Sequence, residues 1–296
     1  MKFDNLKYWL LKLIWVLFSL IPLPVMYILS DILFYPFYYW GRYRRRVVRK
    51  NLTECFPEKD LSEIKRIEKR FYHYLLDVFF EICKYATISK KNLKKRMSFE
   101  NADEVNRLLQ QGKSISLYLG HYGNWEWISS IPLHLEGENI HAGQIYHKLS
   151  SKLSDRLMLE NRSRMGAICI EMSNTLRWIN EQLSKGITTI TGYIADQSPR
   201  KRDSRHFLNF LNHRAPVMIG AEKITKRYNM EAYYLDVVRV KRGHYKATFT
   251  RMTDNPSSLP DIELTEIYYT YLEKTIRRHP EYYLWSHNRF RNAEIL

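Results

Sequence analysis

The chain has 296 residues and a formal net charge of +16, from 47 Lys and Arg against 31 Asp and Glu. A hydrophobic fraction of 45%, with 14% aromatics, excludes an intrinsically disordered chain and is enough to build a full core. The charge excess calls for an acidic partner: nucleic acid, anionic lipid head groups or an acidic protein. The widely spaced Cys55, Cys83 and Cys169 show neither metal-ligand nor redox spacing and read as incidental thiols of a reducing compartment.

The first forty residues stand apart. Trp9 to Leu20 is almost wholly apolar, broken only by Lys12 and Ser19, and after Pro22 and Pro24 a second apolar stretch runs to Trp40. A helix crossing a bilayer needs about 20 apolar residues. Neither half clearly reaches that length, and the paired prolines break or kink a helix joining them. The small-residue cleavage site of a signal peptide is missing, so the segment is expected to be retained. Residues 1–40 are read as a membrane anchor, either one kinked span or a hairpin lying in the interface; the alternative is a buried pair of core helices. The basic run that follows carries Arg42, Arg44, Arg45, Arg46, Arg49 and Lys50. Beside an apolar segment such a cluster reads as cytoplasmic and lipid-facing, in preference to a solvated helix face or a nucleic-acid patch.

Residues 60–86 carry a helical pattern opened by Asp60 and Glu63 in capping-box spacing. Short apolar runs then alternate with amphipathic stretches. Strands are predicted at 114–120, 139–146, 186–195 and within 230–252. Helices are predicted at 124–135, 150–163, 173–184, 215–228 and 261–278. This alternation predicts an α/β fold, a mostly parallel sheet flanked by helices, forming one catalytic domain over 41–296 behind the helical membrane-associated N-terminus.

The sequence has no G-x-S-x-G elbow, no Walker A loop, no G-x-G-x-x-G after a strand and no zinc-like His/Cys cluster. What remains is GHYGNWEW, Gly120 to Trp127, at the end of a predicted strand and the start of a predicted helix. Open α/β sheets bind ligands at such strand ends. Gly120 and Gly123 permit a tight turn, and Asn124 suits an N-cap. The helix start favours a neutral His121, available as a base. Glu126, one turn on, is placed to fold back and fix the imidazole tautomer. A satisfied turn histidine is the competing reading of these residues.

The segment resembles the H-x4-E/D signature of the glycerolipid acyltransferase superfamily. More closely, it is similar to the G-H-[FY]-G-N-W-E form of bacterial lipid A biosynthesis (lauroyl/myristoyl) acyltransferases. The likeness continues through R-x-x-x-x-NL at Arg46 to Leu52, NRSRMG around Arg164 and ADQSP at Ala195 to Pro199. It extends further through residues 210–225 and the closing HPEYYLWSHNRFR, residues 279–291. Leu211-Asn212 departs from the family's Phe-Gly, and Asn288 stands where arginine is common.

The resemblance implies that His121 deprotonates an acceptor hydroxyl as it attacks an acyl thioester, while Glu126 orients and charge-balances it. Helix-start N–H groups or a basic side chain would receive the oxyanion. Arg164 would bind a substrate phosphate or carboxylate, the alternative being a structural ion pair. Asp196, Gln197 and Asn124 would complete the substrate pocket, with scaffolding an equal reading for Asp196 and Gln197. Trp285, His287 and Arg289 read as a structural C-terminal closure. No covalent acyl-enzyme, cofactor or metal is expected. The implied partners are acyl-carrier protein or acyl-coenzyme A as donor, a lipid A precursor as acceptor and the anionic cytoplasmic face of the inner membrane. Another lyso-lipid or aminolipid is the alternative acceptor. A basic membrane-bound nucleic-acid binder is the reading from another class, but it leaves GHYGNWE unexplained, so no nucleic-acid partner is expected.

Overall fold

Seven strands form the central sheet of the computed structural model, which describes residues 2–201 and 204–296. They are β1 (Met97–Glu100), β2 (Ile115–Leu119), β3 (Ile140–Tyr146), β4 (Ile168–Glu171), β5 (Thr188–Ile194), β8 (Glu231–Lys241) and β9 (His244–Arg251), in the order β1-β9-β8-β2-β5-β3-β4. Only β8 and β9 pair antiparallel; every other neighbour is parallel. The α/β prediction holds at this level. Strand β2 reads ISLYL and is buried at every position, as expected of a parallel strand covered on both faces. Helices α6 (Ala102–Gln110) and α8 (Thr175–Ser184) pack on β5, α9 (Gly220–Arg227) on β2 and α10 (Glu263–Arg278) on β8.

Two of the predicted helices differ in the structure. Residues 127–134 form a 3-10 helix rather than an α-helix. Pro132 sits inside it, and the Ser129 and Ser130 hydroxyls donate to the Glu126 and Trp127 carbonyls at 2.6 and 2.7 Å. Serines that bond their own backbone, together with a proline, oppose regular α-helix. The helix predicted at 215–228 shortens to α9, because His213–Val217 (β7) pairs antiparallel with β6 (His206–Phe210). The hairpin turns at Leu211 (φ 48°) and Asn212 (φ 61°), the left-handed pair typical of a two-residue turn. Asparagine suits such a position, whereas leucine is strained there. The Leu211 N–H is fastened to Glu273 Oε2 at 2.9 Å.

At the N-terminus α1 (Lys2–Leu20) and α2 (Leu23–Pro36) meet at a bend of 103°, where the prolines were expected to act. Among the described residues no single helix is long and apolar enough to cross a membrane. One side of the pair is packed into the protein against α4 (Leu61–Lys84). Ser30 donates to Asp77, Tyr27 to Glu81 and, in the helical turn Phe37–Gly41 that continues α2, Tyr38 to Glu68, each at 2.8 Å. The other side exposes Trp9, Leu13, Ile14, Ile28, Ile32 and Trp40, the last 83% accessible.

The basic run is not one continuous strip. Arg45 and Arg49, on α3 (Arg45–Cys55), turn inward onto the fully buried Glu68 carboxylate, and Arg44 donates to the Ser286 carbonyl at 3.0 Å. Arg42, Arg46 and Lys50 remain on the outside. The reason is the helical period: Arg45 and Arg49 are one turn apart and share the face that meets α4. Asp60 caps α4 as predicted, accepting the Glu63 N–H at 2.9 Å.

Candidate active site

Register brings the first two site residues together. Leu119 at the end of β2 is paired with Ile194 at the end of β5, so His121 and Asp196 each lie two residues beyond matched positions. The His121 N–H donates to Asp196 Oδ2 at 3.1 Å, and its Nδ1 stands 2.7 Å from Asp196 Oδ1. A carboxylate on Nδ1 requires the proton there, which leaves a lone pair on Nε2. The Gln197 amide nitrogen lies 3.2 Å from Nε2 and can donate to that lone pair. Asp196 is buried, which opposes its charge. The attraction and hydrogen bonds of His121 outweigh burial and hold its carboxyl below the usual range.

Adjacent tyrosines of α10 pin the two strand ends: Tyr268 donates to the Leu119 carbonyl at 2.9 Å and Tyr269 to that of Ala195 at 3.0 Å. The C-terminal segment closes the third side. Leu284 N–H bonds the His121 carbonyl at 3.1 Å, and Gly123 N–H bonds that of Tyr282 at 3.1 Å. Gly123 has φ +58°, and a Cβ there would lie 2.7 Å from Val237; at Gly120 a Cβ would lie 2.5 Å from Leu272. Gly123 is favoured by its left-handed backbone, and a side chain at either position would have to push Val237 or Leu272 aside. The turn spends its donors internally: Tyr122, Gly123, Trp125 and Trp127 all give their N–H groups to protein carbonyls. They do not form the expected helix-start oxyanion site, because the chain here folds as successive tight turns.

Glu126 does not fold back on His121. Its carboxylate is held by Arg162 in a two-pronged pair, Nε to Oε2 at 2.7 Å and Nη2 to Oε1 at 2.5 Å. A guanidinium matches a carboxylate better than one imidazole N–H does, and that imidazole nitrogen already faces Asp196. Arg162 closes α7 (Lys152–Ser163). Arg164, two residues on and about half a turn round the helix, faces elsewhere. Its Nη1 donates to the Tyr85 and Ile88 carbonyls at 3.0 and 2.6 Å, just past the end of α4. Those contacts make its Nη1 a partner of the helix end, while the side chain stays exposed. Asn124 is fully buried: its amide donates to Glu81 at 2.7 Å and its oxygen accepts the Trp127 N–H at 3.1 Å. It caps the following turn, and burial keeps it from touching substrate directly.

Two further groups border the imidazole. The Trp125 ring meets that of His121 edge-on, with centroids 5.6 Å apart. His287 Nε2 lies 3.4 Å from the Ser198 N–H, and burial lowers its pKa to about 4, so near neutral pH it is an uncharged acceptor. The residues that hold the turn carrying His121 and that the sequence did not single out are Arg162 and Glu81. Arg162 stood inside NRSRMG, but nothing in its local pattern distinguished it from Arg164.

The family described as bacterial lipid A biosynthesis acyltransferase matches residues 1–292. The chain is 24% identical over 257 residues to a lipid A biosynthesis acyltransferase of Haemophilus influenzae, covering 82% of this chain and 74% of that one. It is 23% identical to the lipid A biosynthesis palmitoleoyltransferase of Escherichia coli K12 and to a lipid A biosynthesis acyltransferase of Shigella flexneri. Each of those matches covers 99% of this chain and 95% of the relative.

Proposed function

Because the chain belongs to the bacterial lipid A biosynthesis acyltransferase family and is an acyltransferase, we propose that it moves a fatty acyl chain from an acyl thioester to a hydroxyl of a lipid A precursor, with His121 as general base. The supporting observation is the state of the imidazole: Nδ1 faces the buried Asp196 carboxylate, and Nε2 keeps a lone pair met, among the described residues, by the Gln197 amide alone. An entering hydroxyl takes the place of that amide at Nε2. The hydroxyl oxygen attacks the thioester carbonyl as its proton passes to Nε2, and Asp196 balances the imidazolium. The released Gln197 amide is then available to the carbonyl oxygen, where negative charge collects. Collapse expels the thiolate, which leaves with the proton held on Nε2. Glu126 acts at one remove, fixing the turn to α7 through Arg162.

The donor in this reading is acyl-carrier protein or acyl-coenzyme A, and the acceptor hydroxyl belongs to an acyl chain already on the sugar. The test is the purified protein supplied with each thioester and a lipid A precursor. Mass gain on the precursor supports the reading; gain only on another lyso-lipid overturns the acceptor.

The exposed apolar side of α1 and α2, with Trp40 at its edge, supports docking on the cytoplasmic face of the inner membrane, where aromatic rings and cations suit the interface. Arg42, Arg46 and Lys50 are the outward charges of the basic run, Lys50 lying 3.9 Å from Glu54. Neutralising the two arginines is expected to weaken binding to anionic vesicles by about 1 kcal/mol per charge while leaving retention on neutral vesicles. Neutralising Arg45 and Arg49 instead is expected to destabilise the fold, since it strands Glu68 without its cations. Co-sedimentation and thermal melts separate the pairs; equal effects on vesicle binding would contradict the division.

A further inference from the structure

Glu81 is a fully buried carboxylate on α4 with no arginine or lysine in hydrogen-bonding contact among the described residues. Three neutral donors surround it. Tyr27 of α2 reaches Oε1 at 2.8 Å, while Asn124 at 2.7 Å and Tyr245 of β9 at 2.8 Å share Oε2. Its backbone carbonyl takes the Trp127 indole N–H at 3.1 Å. Burial pushes the carboxyl above the usual carboxylate range, the cost of desolvation that a leucine in this core would not carry. A leucine, however, accepts nothing. Asn124 directly follows Gly123, whose left-handed backbone turns the chain after His121, and Asn124 also caps the Trp127 N–H. The Glu81 carboxylate thus holds Asn124 in the middle of the turn that carries the imidazole, Asn124 in turn caps its Trp127 end, and Tyr27 ties the same carboxylate to α2, whose opposite side is exposed and apolar.

We propose that Glu81 is a positioning residue for acyl transfer, setting the Gly120–Trp127 turn and making α2, through Tyr27, part of the catalytic framework rather than an anchor alone. The inference rests on the reading of His121 as base. Glutamine at 81 keeps an oxygen for Asn124 and Tyr245 and offers an amide to the Tyr27 oxygen, so it is the conservative replacement; methionine removes both carboxylate oxygens and leaves the backbone carbonyl to Trp127.

The experiment uses the full chain in detergent, comparing wild type with Glu81→Met, Glu81→Gln, Tyr27→Phe and His121→Ala. It reads kcat, KM, the thermal midpoint and hydrogen exchange across residues 120–128. Misplacement of a reacting group by about 1 Å costs on the order of 100-fold. Glu81→Met is therefore expected to lose roughly ten- to a hundred-fold in kcat with KM little changed, and to exchange faster in that segment. Glu81→Gln should recover most of the loss. Tyr27→Phe, which removes only a hydroxyl, should lower kcat several-fold at a temperature well below its melting point, that midpoint falling modestly because Oε1 loses its donor. Wild-type kcat and wild-type exchange in Tyr27→Phe, or a Glu81→Gln variant as impaired as Glu81→Met, overturns the inference. Full turnover by His121→Ala overturns the reading of the base instead, and exchange across 120–128 then decides the fate of Glu81 by itself.

Discussion

Replacing His121 with alanine is expected to lower acyl transfer by about 10²–10⁴-fold, the usual worth of a positioned general base. The fold should survive. The imidazole is only partly buried, and the His121 backbone N–H still donates to Asp196 when the ring is gone. The variant should therefore keep its far-ultraviolet spectrum and its partition onto vesicles while losing chemistry. Single-turnover kinetics with substrate preloaded separates the two, because a defect in binding disappears at saturation and a missing base does not. Near-normal single-turnover rates in His121→Ala would remove His121 from the mechanism.

The second large effect is expected at Asp196, not at Glu126. In Asp196→Asn an amide replaces the carboxylate that faces Nδ1. If its nitrogen turns to the ring, Nδ1 becomes the acceptor and the proton moves to Nε2, which can no longer take one from a hydroxyl. Loss of the equivalent carboxylate in a Ser-His-Asp triad costs on the order of 10⁴-fold in kcat, and a loss of similar size is expected here. Glu126→Gln should cost far less, since that carboxylate contacts Arg162 and not the imidazole. A larger loss at Glu126 than at Asp196 would contradict the assignment of partners. Stability gives a second readout. The Asp196 carboxyl is held below its ordinary value in the folded protein. Its ionisation therefore stabilises the fold above the unfolded value, and that contribution is lost as pH falls through the lower folded value. Asp196→Asn has nothing to lose in that acid window, so its stability should fall less steeply there than that of wild type.

Local signals in the sequence were sufficient for β2, β3, β5, β8 and β9 and for the position of GHYGNWE, whereas the four-residue edge strands β1 and β4 were missed as too short to carry a pattern of their own. The run ISLYL before two glycines declares a buried strand entering a tight turn, and Asp60 announces the start of α4. The bend between α1 and α2 at Pro22 and Pro24 was likewise local. What the sequence did not disclose depends on pairing across distance. Glu126 is near His121 in the chain, and proximity suggested an orienting role; strand register instead delivers Asp196, 75 residues away. Arg162 and Arg164 look equivalent in NRSRMG and separate only once the helix directs one to Glu126 and the other to the end of α4. Glu81 sits in an otherwise unremarkable amphipathic helix, and its three donors come from three distant segments. The β6–β7 hairpin was missed because Leu211-Asn212 lacks the glycine that normally marks such a turn.

The most direct test of the account is mass spectrometry of lipid A from a strain lacking this gene, carrying either the wild-type chain or His121→Ala. The account predicts that the deletion strain lacks the mass of one acyl chain on lipid A, that wild type restores it, and that His121→Ala does not. Lipid A unchanged in the deletion strain, or fully restored by His121→Ala, would contradict it.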